Sequence, residues 1–105
     1  QAQKTGISSI TEGITGGQID QIVRSKIEEI SPGLSKYFIT GLGHGVGLDI
    51  HEYPMLIPNS SDKIYQNSVF TIEPGVYLPE WGGIRIEDMV LFKDNQVSVL
   101  TKSKK

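Results

Sequence analysis

Two histidines and three charged residues carry the chemistry that this sequence offers. His44 and His51 are the only histidines in the 105 residues, and both lie in the stretch GHGVGLDIHE. Glu73, Arg85 and Glu87 come from two later segments of β-type sequence. In a chain without cysteine, carboxylates and imidazoles are ligands that suit manganese, cobalt, iron or zinc in a hydrolytic site with a bound water.

The spacing of the β-type segments brings two carboxylates face to face. Residues 69–73 and 84–92 are predicted strands. In a hairpin that pairs residues whose numbers sum to 160, Glu73 faces Glu87. Directly opposed carboxylates have β-carbons about 5 Å apart and repel, so the arrangement needs a shared proton, an arginine or a cation. A divalent metal is the strongest answer, and the alternative is an exposed face on which Arg85 screens both acids in water.

The two histidines are predicted to have different roles. They are seven positions apart, so on one regular strand they would point to opposite faces, and the glycines argue against a helix. A bend must separate them, which makes one a candidate metal ligand and the other a candidate substrate contact. Three further acids, Glu52, Glu80 and Asp88, are interpreted as solvated charges or local hydrogen-bond acceptors.

Two amphipathic helices are predicted before these residues. Apolar residues recur at helical spacing over 7–14 and again over 19–30. Thr15 and Gln18 fit a capping box at the start of the second helix. Ser31, which precedes a proline, is predicted to end that helix.

A glycine-rich loop and an antiparallel meander are predicted to follow. Every second residue from Gly41 to Gly47 is glycine, a pattern that helix and strand interiors disfavour, so something must approach this backbone closely. After the two predicted strands, a turn at Asp94 and Asn95 leads to a third strand over 97–100 that pairs back on the second. This order describes an α+β fold over residues 1–105, with two helices packed on an antiparallel sheet.

Composition limits the class of protein. The chain has 12 acidic residues against 10 lysines and arginines and is 37% apolar, as expected of a folded domain. No apolar run approaches the ~20 residues of a membrane span and no basic face marks a nucleic-acid site, so neither partner is expected. The absence of cysteine excludes thiolate ligands and makes a cytoplasmic location the default. The start at Gln1 rather than Met suggests a piece of something longer.

Three sequence blocks together resemble one known family. They are GHGVGLDIHE at 43–52, FTIEPGVY at 70–77 and GIRIED at 83–88. Their order and identity are similar to those of the pita-bread metallopeptidases: aminopeptidase P, Xaa-Pro dipeptidase (prolidase) and methionine aminopeptidase. The preceding helices, with GITG at 13–16 between them, also look like the family. The last two blocks look closer to the proline-specific peptidases than to methionine aminopeptidases.

The resemblance implies a role for each candidate residue. His44 and Glu73 would ligate one divalent metal ion and Glu87 would bridge two, with manganese first among the metals and cobalt, zinc or iron as the others. Glu73 would also manage a proton. His51, the second implied catalytic residue, would hydrogen-bond the scissile carbonyl region and stabilise the developing oxyanion. Arg85 would hold a ligand carboxylate in orientation, and the glycines would let the backbone run close to the bound peptide.

The resemblance also implies that two ligands are missing. In the family, an earlier half of the domain supplies two aspartates, whereas the only aspartate before His44 here is Asp20. Asp20 is predicted in the first turn of a helix, where a capping or dipole role suffices. We therefore expect this chain to be the C-terminal half of a catalytic domain, inactive alone, whose face towards the missing N-terminal half exposes apolar surface. The other expected partner is a peptide with proline at its second position, and a homodimer is a further option.

Several functions compete. The leading hypothesis is metal-dependent hydrolysis of Xaa-Pro bonds by a dipeptidase or aminopeptidase, and methionine aminopeptidase is the enzymatic alternative. An alternative of another class is a non-catalytic pita-bread module that binds peptides or histones. The retained His44, Glu73 and Glu87 argue against that module, because without metal nothing favours buried opposed acids. The structural alternative is a small α+β domain with ordinary surface histidines and glutamates.

Overall fold

The computed structural model describes residues 1–47 and 52–103 of the chain. Over these ranges the chain forms two α-helices, a short 3₁₀ helix and seven strands. The helices are α1 (Ala2–Ser8), α2 (Gly16–Ile30) and the 3₁₀ helix (Leu34–Tyr37). The strands are β1 (Gly43–Gly45), β2 (Glu52–Leu56), β3 (Ser68–Ile72), β4 (Gly75–Leu78), β5 (Gly82–Arg85), β6 (Asp88–Lys93) and β7 (Gln96–Val99).

The ends of α2 are those that the sequence predicts. The Gln18 amide donates to Thr15 Oγ1 at 3.1 Å, and the Thr15 amide donates to Gln18 Oε1 at 2.9 Å, which completes the capping box. After Ile30 the backbone of Ser31 is extended (φ −149°, ψ 103°), as expected of a residue before proline. Both boundaries therefore follow from local chemistry.

The first helix, Ala2–Ser8, lies earlier in the chain than the predicted range 7–14. It ends at Ser8, although Ile10 continues the apolar spacing and is buried. Beyond it the Gly13 amide donates to the Ile64 carbonyl at 2.7 Å, and the Ile64 amide donates to the Ile14 carbonyl at 2.8 Å. The apolar spacing over 7–14 thus reflects burial against the core, while hydrogen bonds to a distant segment replace those of a helix.

The middle of the glycine-rich stretch, Gly43–Gly45, is a strand, so the prediction of a loop is wrong for these residues. The larger sheet has the order β2-β1-β3-β6-β7, with all pairs antiparallel. A Cβ on Gly43 would lie 1.8 Å from the Thr71 carbonyl oxygen, and one on Gly45 would lie 2.0 Å from that of Tyr53. What approaches this backbone is therefore the backbone of the two neighbouring strands. Because β1 is inserted between β2 and β3, the sheet is not a simple meander.

The predicted register of the hairpin is confirmed, but its second strand is divided. Partners in β3–β6 (Phe70 with Val90) and in β4–β5 (Val76 with Ile84) all sum to 160. The prediction of a single strand over 84–92 is wrong, because the strand is interrupted at 86–87 and its two parts lie in different sheets. The predicted pairing of β7 with β6 through Asp94 and Asn95 is confirmed, and both turn residues have positive φ.

The core lies between the helices and the five-stranded sheet. Its fully buried side chains come from α2, the segment before β1, the segment between β2 and β3, and the sheet. The largest are Phe38, Phe70, Phe92, Ile19, Leu42, Leu56, Ile64 and Ile72. The predicted α+β architecture of two helices packed on an antiparallel sheet is thus confirmed. No helix in the described ranges has the length and apolar character needed to cross a membrane.

Candidate active site

Glu73 and Glu87 lie at the break between the two sheets. Glu73 directly follows β3, and its amide donates to the Leu42 carbonyl at 2.6 Å, which continues the pairing of β3 with the chain on the β1 side. The next residue, Pro74, has no N–H to donate, although its carbonyl accepts from the Ile86 amide at 3.2 Å. The hairpin therefore lacks one hydrogen bond at Pro74. The register does not change, so Glu73 stays opposite Glu87.

The two carboxyl groups interact closely. Burial raises the pKa of Glu73, and both a hydrogen bond and the charge repulsion from Glu87 raise this pKa further. The charges of His44 and Arg85 act in the opposite direction. Since an ionised carboxylate only accepts hydrogen bonds, a bond between two carboxyl groups requires a proton on one of them. The pair therefore needs a shared proton, an arginine or a cation, which are the three options that the sequence predicts.

His44 is placed beside this pair by β1. Its amide donates to Thr71 Oγ1 at 3.1 Å, and its Nε2 lies 4.0 Å from Glu73 Oε1. Nδ1 lies 2.9 Å from the Gly45 carbonyl oxygen. Because a carbonyl only accepts, the proton belongs on Nδ1 in this contact, and Nε2 becomes the nitrogen with a lone pair for a ligand. A carbonyl bound to the other ring nitrogen is the usual support of a metal-binding histidine.

Arg85 lies at the outer side of the carboxylate pair. Its Nη2 is 3.8 Å from Glu87 Oε2, and both side chains are about half exposed. At this distance the contact is a loose ion pair that biases the orientation of the Glu87 carboxylate. The structure thus brings Arg85 to the carboxylate that the sequence reading expected it to orient, and the role itself stays a prediction.

The structure brings together three of the side chains that the sequence predicts as metal ligands. The chemistry of His44, Glu73 and Glu87 fits a divalent cation, because an imidazole stands beside two carboxylates that repel each other. Yet no group of three or more histidine, aspartate or glutamate side chains in the described part of the chain is arranged to hold a metal ion by itself. His51, the predicted oxyanion-stabilising residue, lies outside the described residues.

Asp20 does not have the role predicted for it. It is 1% exposed and its Oδ1 lies 2.6 Å from Arg24 Nε, while Thr15 and Gln18 cap the helix. Burial raises the pKa of Asp20, and the hydrogen bond and charge of Arg24 oppose that rise. The sequence reading missed this pair, although aspartate and arginine four positions apart on a helix are the signal for it.

Two of the other three acids, Asp88 and Glu80, agree with their interpretation, and that of Glu52 stays a prediction. Asp88 is buried and accepts a hydrogen bond from the Thr101 hydroxyl, so it is a local hydrogen-bond acceptor. Glu80 is exposed in the turn between β4 and β5. The Glu52 carboxylate lies against Gly47, where a Cβ would meet it at 1.9 Å.

Apolar surface is exposed around the two-stranded sheet. Trp81, Ile84 and the nearby Ile39 are all more than half exposed. With Tyr77 and Leu78, Trp81 and Ile39 line a shallow depression at the tip of the hairpin. The sequence reading expected apolar surface of this kind on a face that packs against another part of a larger domain, and that packing stays a prediction.

Comparisons with known proteins match this chain to peptidases. The model of metallopeptidase family M24 matches residues 1–94. The Xaa-Pro dipeptidase of Pyrococcus furiosus is 43% identical over 105 residues, which are 100% of this chain and 30% of that protein. A putative Xaa-Pro aminopeptidase of Mycoplasma pneumoniae is 45% identical over 96 residues, 91% of this chain and 27% of that protein. The solved prolidase structure from Pyrococcus furiosus superposes with a TM-score of 0.92 over 99% of this chain and 30% of the other, at 43% identity. The chain thus spans less than a third of the length of these relatives.

Proposed function

The chain belongs to metallopeptidase family M24, and we propose that it contributes part of a two-metal site to an enzyme that hydrolyses Xaa-Pro peptide bonds. The observation that carries the proposal is the carboxyl pair Glu73 and Glu87 beside His44, in which burial and the neighbouring Glu87 raise the pKa of Glu73 and so oppose ionisation of both acids together. Such a pair is unfavourable in a purely structural role, since a largely buried carboxylate opposite another costs free energy unless a proton is shared or a positive charge lies beside the pair.

Each side chain has a proposed task. His44 through Nε2 and Glu73 would hold one divalent cation, and Glu87 would be shared between two. When bound, such cations lower the pKa of water and polarise a carbonyl group. Manganese is the first candidate, because carboxylates outnumber the imidazole in this set, and cobalt, zinc or iron follow.

The chain's own residues would manage protons and orientation. Glu73, whose carboxyl group lies beside that of Glu87, would take up and release a proton during hydrolysis. Arg85 would keep the Glu87 carboxylate turned towards the site through their ion pair. His51 would donate a hydrogen bond near the scissile carbonyl and stabilise negative charge there.

This chain alone is proposed to be inactive. The described residues do not form a complete ligand set, and the missing ligands would come from a preceding half of the domain. The apolar surface at Ile39, Trp81 and Ile84 would face that half or the peptide.

The substrate is proposed to be a peptide with proline at its second position. Two relatives with more than 40% identity carry the names Xaa-Pro dipeptidase and putative Xaa-Pro aminopeptidase. The sequence blocks that surround Glu73 and Glu87 also favour the proline-specific branch. A dipeptide and a longer Xaa-Pro peptide separate dipeptidase from aminopeptidase activity, and a Met-Ala peptide tests for the methionine aminopeptidase alternative.

The test is peptide hydrolysis with added Mn²⁺ by the longer protein that carries this chain. Xaa-Pro cleavage is expected, and Glu73→Gln should lower kcat by about 10²–10⁴-fold, because it removes both a ligand and a proton carrier. Glu29→Gln is the matched control, since Glu29 is exposed on α2 and pairs only with Lys26 in the contacts described here. Absence of any Mn²⁺-stimulated cleavage would contradict the proposal, and absence of metal binding as well would favour a non-catalytic module.

A further inference from the structure

An ion pair on α2, between the buried Asp20 and the partly buried Arg24, holds the segment that leads into β1. Arg24 Nε contacts Asp20 Oδ1 at 2.6 Å, Nη1 donates to the Phe38 carbonyl at 2.5 Å and Nη2 donates to the Thr40 carbonyl at 2.9 Å. The guanidinium also lies over the Phe38 ring, 4.1 Å from its centroid. One side chain thus joins a helix to two carbonyls of a segment that has no regular secondary structure.

The same segment continues directly into the candidate site. The Leu42 amide donates to the Leu56 carbonyl at 2.7 Å and also lies within hydrogen-bonding reach of Asp20, whose pKa it lowers. The Leu42 carbonyl accepts from the Glu73 amide at 2.6 Å. Two residues later, His44 lies in β1. Backbone contacts therefore lead from the ion pair to the two proposed ligands of one metal.

Stability alone is a weak explanation for this pair. Removing two charges from water costs about as much as their attraction returns, and apolar side chains of similar volume often stabilise a core as well or better. What an apolar pair cannot do is donate to two carbonyls in a fixed geometry, whereas the planar guanidinium can. The main effect of the arrangement is therefore to determine the path of residues 38–42, and its contribution to the free energy of unfolding is small.

We propose that Asp20 and Arg24 are positioning residues for the candidate metal site. They fix the path of residues 38–42, and that path sets the backbone position of Glu73 and the direction in which β1 presents His44. The inference that this position serves metal binding rests on the proposed function, whereas the coupling from Arg24 to Glu73 is a property of the metal-free chain.

Amide hydrogen exchange of the metal-free 105-residue chain tests the coupling. We compare the Glu73 amide, which donates to Leu42, with the Ile64 amide, which donates to Ile14 at 2.8 Å and lies away from Arg24. In Arg24→Met, exchange at Glu73 should accelerate about tenfold more than exchange at Ile64, because residues 38–42 open locally. In Arg24→Lys the ammonium group keeps a positive charge near Asp20 but cannot donate to both carbonyls. Exchange at Glu73 should therefore again accelerate more than exchange at Ile64, although the ion pair is retained.

Lys26→Met is the matched control on the same helix. Lys26 makes an exposed pair with Glu29, so the ratio of the two exchange rates should not change. Equal acceleration at both amides in the two Arg24 variants would show that the pair contributes only global stability, and this would overturn the proposal. Loss of the fold in both variants would overturn it as well. If instead the coupling is found but wild-type protein binds no Mn²⁺, the proposed function fails and the positioning result stands.

Discussion

Two parts of one long hairpin, the first arm (β3–β6) and the second arm (β4–β5), have the same register but differ in burial. Partners in β3–β6 and in β4–β5 sum to 160, so both arms continue the same hairpin. In the first arm Phe70, Ile72 and Val90 are completely buried beneath the helices. In the second arm every residue of β5 is exposed, and Trp81 at its tip is 84% exposed.

The difference lies in what covers each arm. The first arm is the centre of a five-stranded sheet, with β1 on one side and β7 on the other. The second arm is a two-stranded ribbon, and a ribbon of this size is only marginally stable unless a further layer packs on it. The hairpin itself therefore sets the register, while burial depends on the neighbouring strands and helices. Glu73 and Glu87 lie where one environment changes into the other.

The largest expected contrast comes from one aromatic side chain in each arm. Phe70→Ala should lower the free energy of unfolding by about 3–5 kcal/mol, because it leaves a cavity in a closely packed core. Trp81→Ala should change it by no more than about 0.5 kcal/mol, since the ring makes few contacts within this chain. Urea unfolding followed by circular dichroism measures both. A large loss in Trp81→Ala would show that the second arm packs on this chain, and the comparison would then be incorrect.

A matched pair of glycines sharpens the contrast. A Cβ on Gly43 would lie 1.8 Å from a backbone oxygen in the neighbouring strand, so Gly43→Ala should cost about 3 kcal/mol. A Cβ on Gly75, at the start of β4, would lie no closer than 3.0 Å to its neighbours, and Gly75→Ala should cost less than about 1 kcal/mol. The same unfolding measurement applies. Equal costs would mean that β1 can move away from β3 as easily as β4 and β5 can move apart.

The smallest expected effect concerns the junction itself and depends on pH. The folded chain raises the pKa of Glu73, so the folded state binds a proton more tightly than the unfolded state does. Without metal, stability should therefore fall as pH rises through the unfolded pKa towards the folded one. Glu73→Gln should remove most of that fall, and thermal unfolding across this pH range measures it. An equal pH dependence in the wild type and in Glu73→Gln would contradict the raised pKa, because Asp20 and Glu28, whose pKa values also shift, are present in both proteins.

Features that depend on neighbours in sequence were predictable. The capping box of Thr15 and Gln18 and the stop before a proline depend on a few adjacent residues. The register that opposes Glu73 to Glu87 follows from the spacing of two segments around one turn. The sequence blocks around these residues were sufficient to identify the family, although the role of His51 stays a prediction.

The sequence alone thus determined the local boundaries, the hairpin register and the types of side chain at the site. Only the tertiary structure decided that Gly43–Gly45 is an inner strand, that α1 ends at Ser8, and that Asp20 and Arg24 are joined to residues 38–42. Each of these outcomes depends on contacts between segments far apart in sequence, where the local pattern fits more than one structure. A glycine is unfavourable in an isolated strand and is required where two neighbouring strands leave no room for a Cβ.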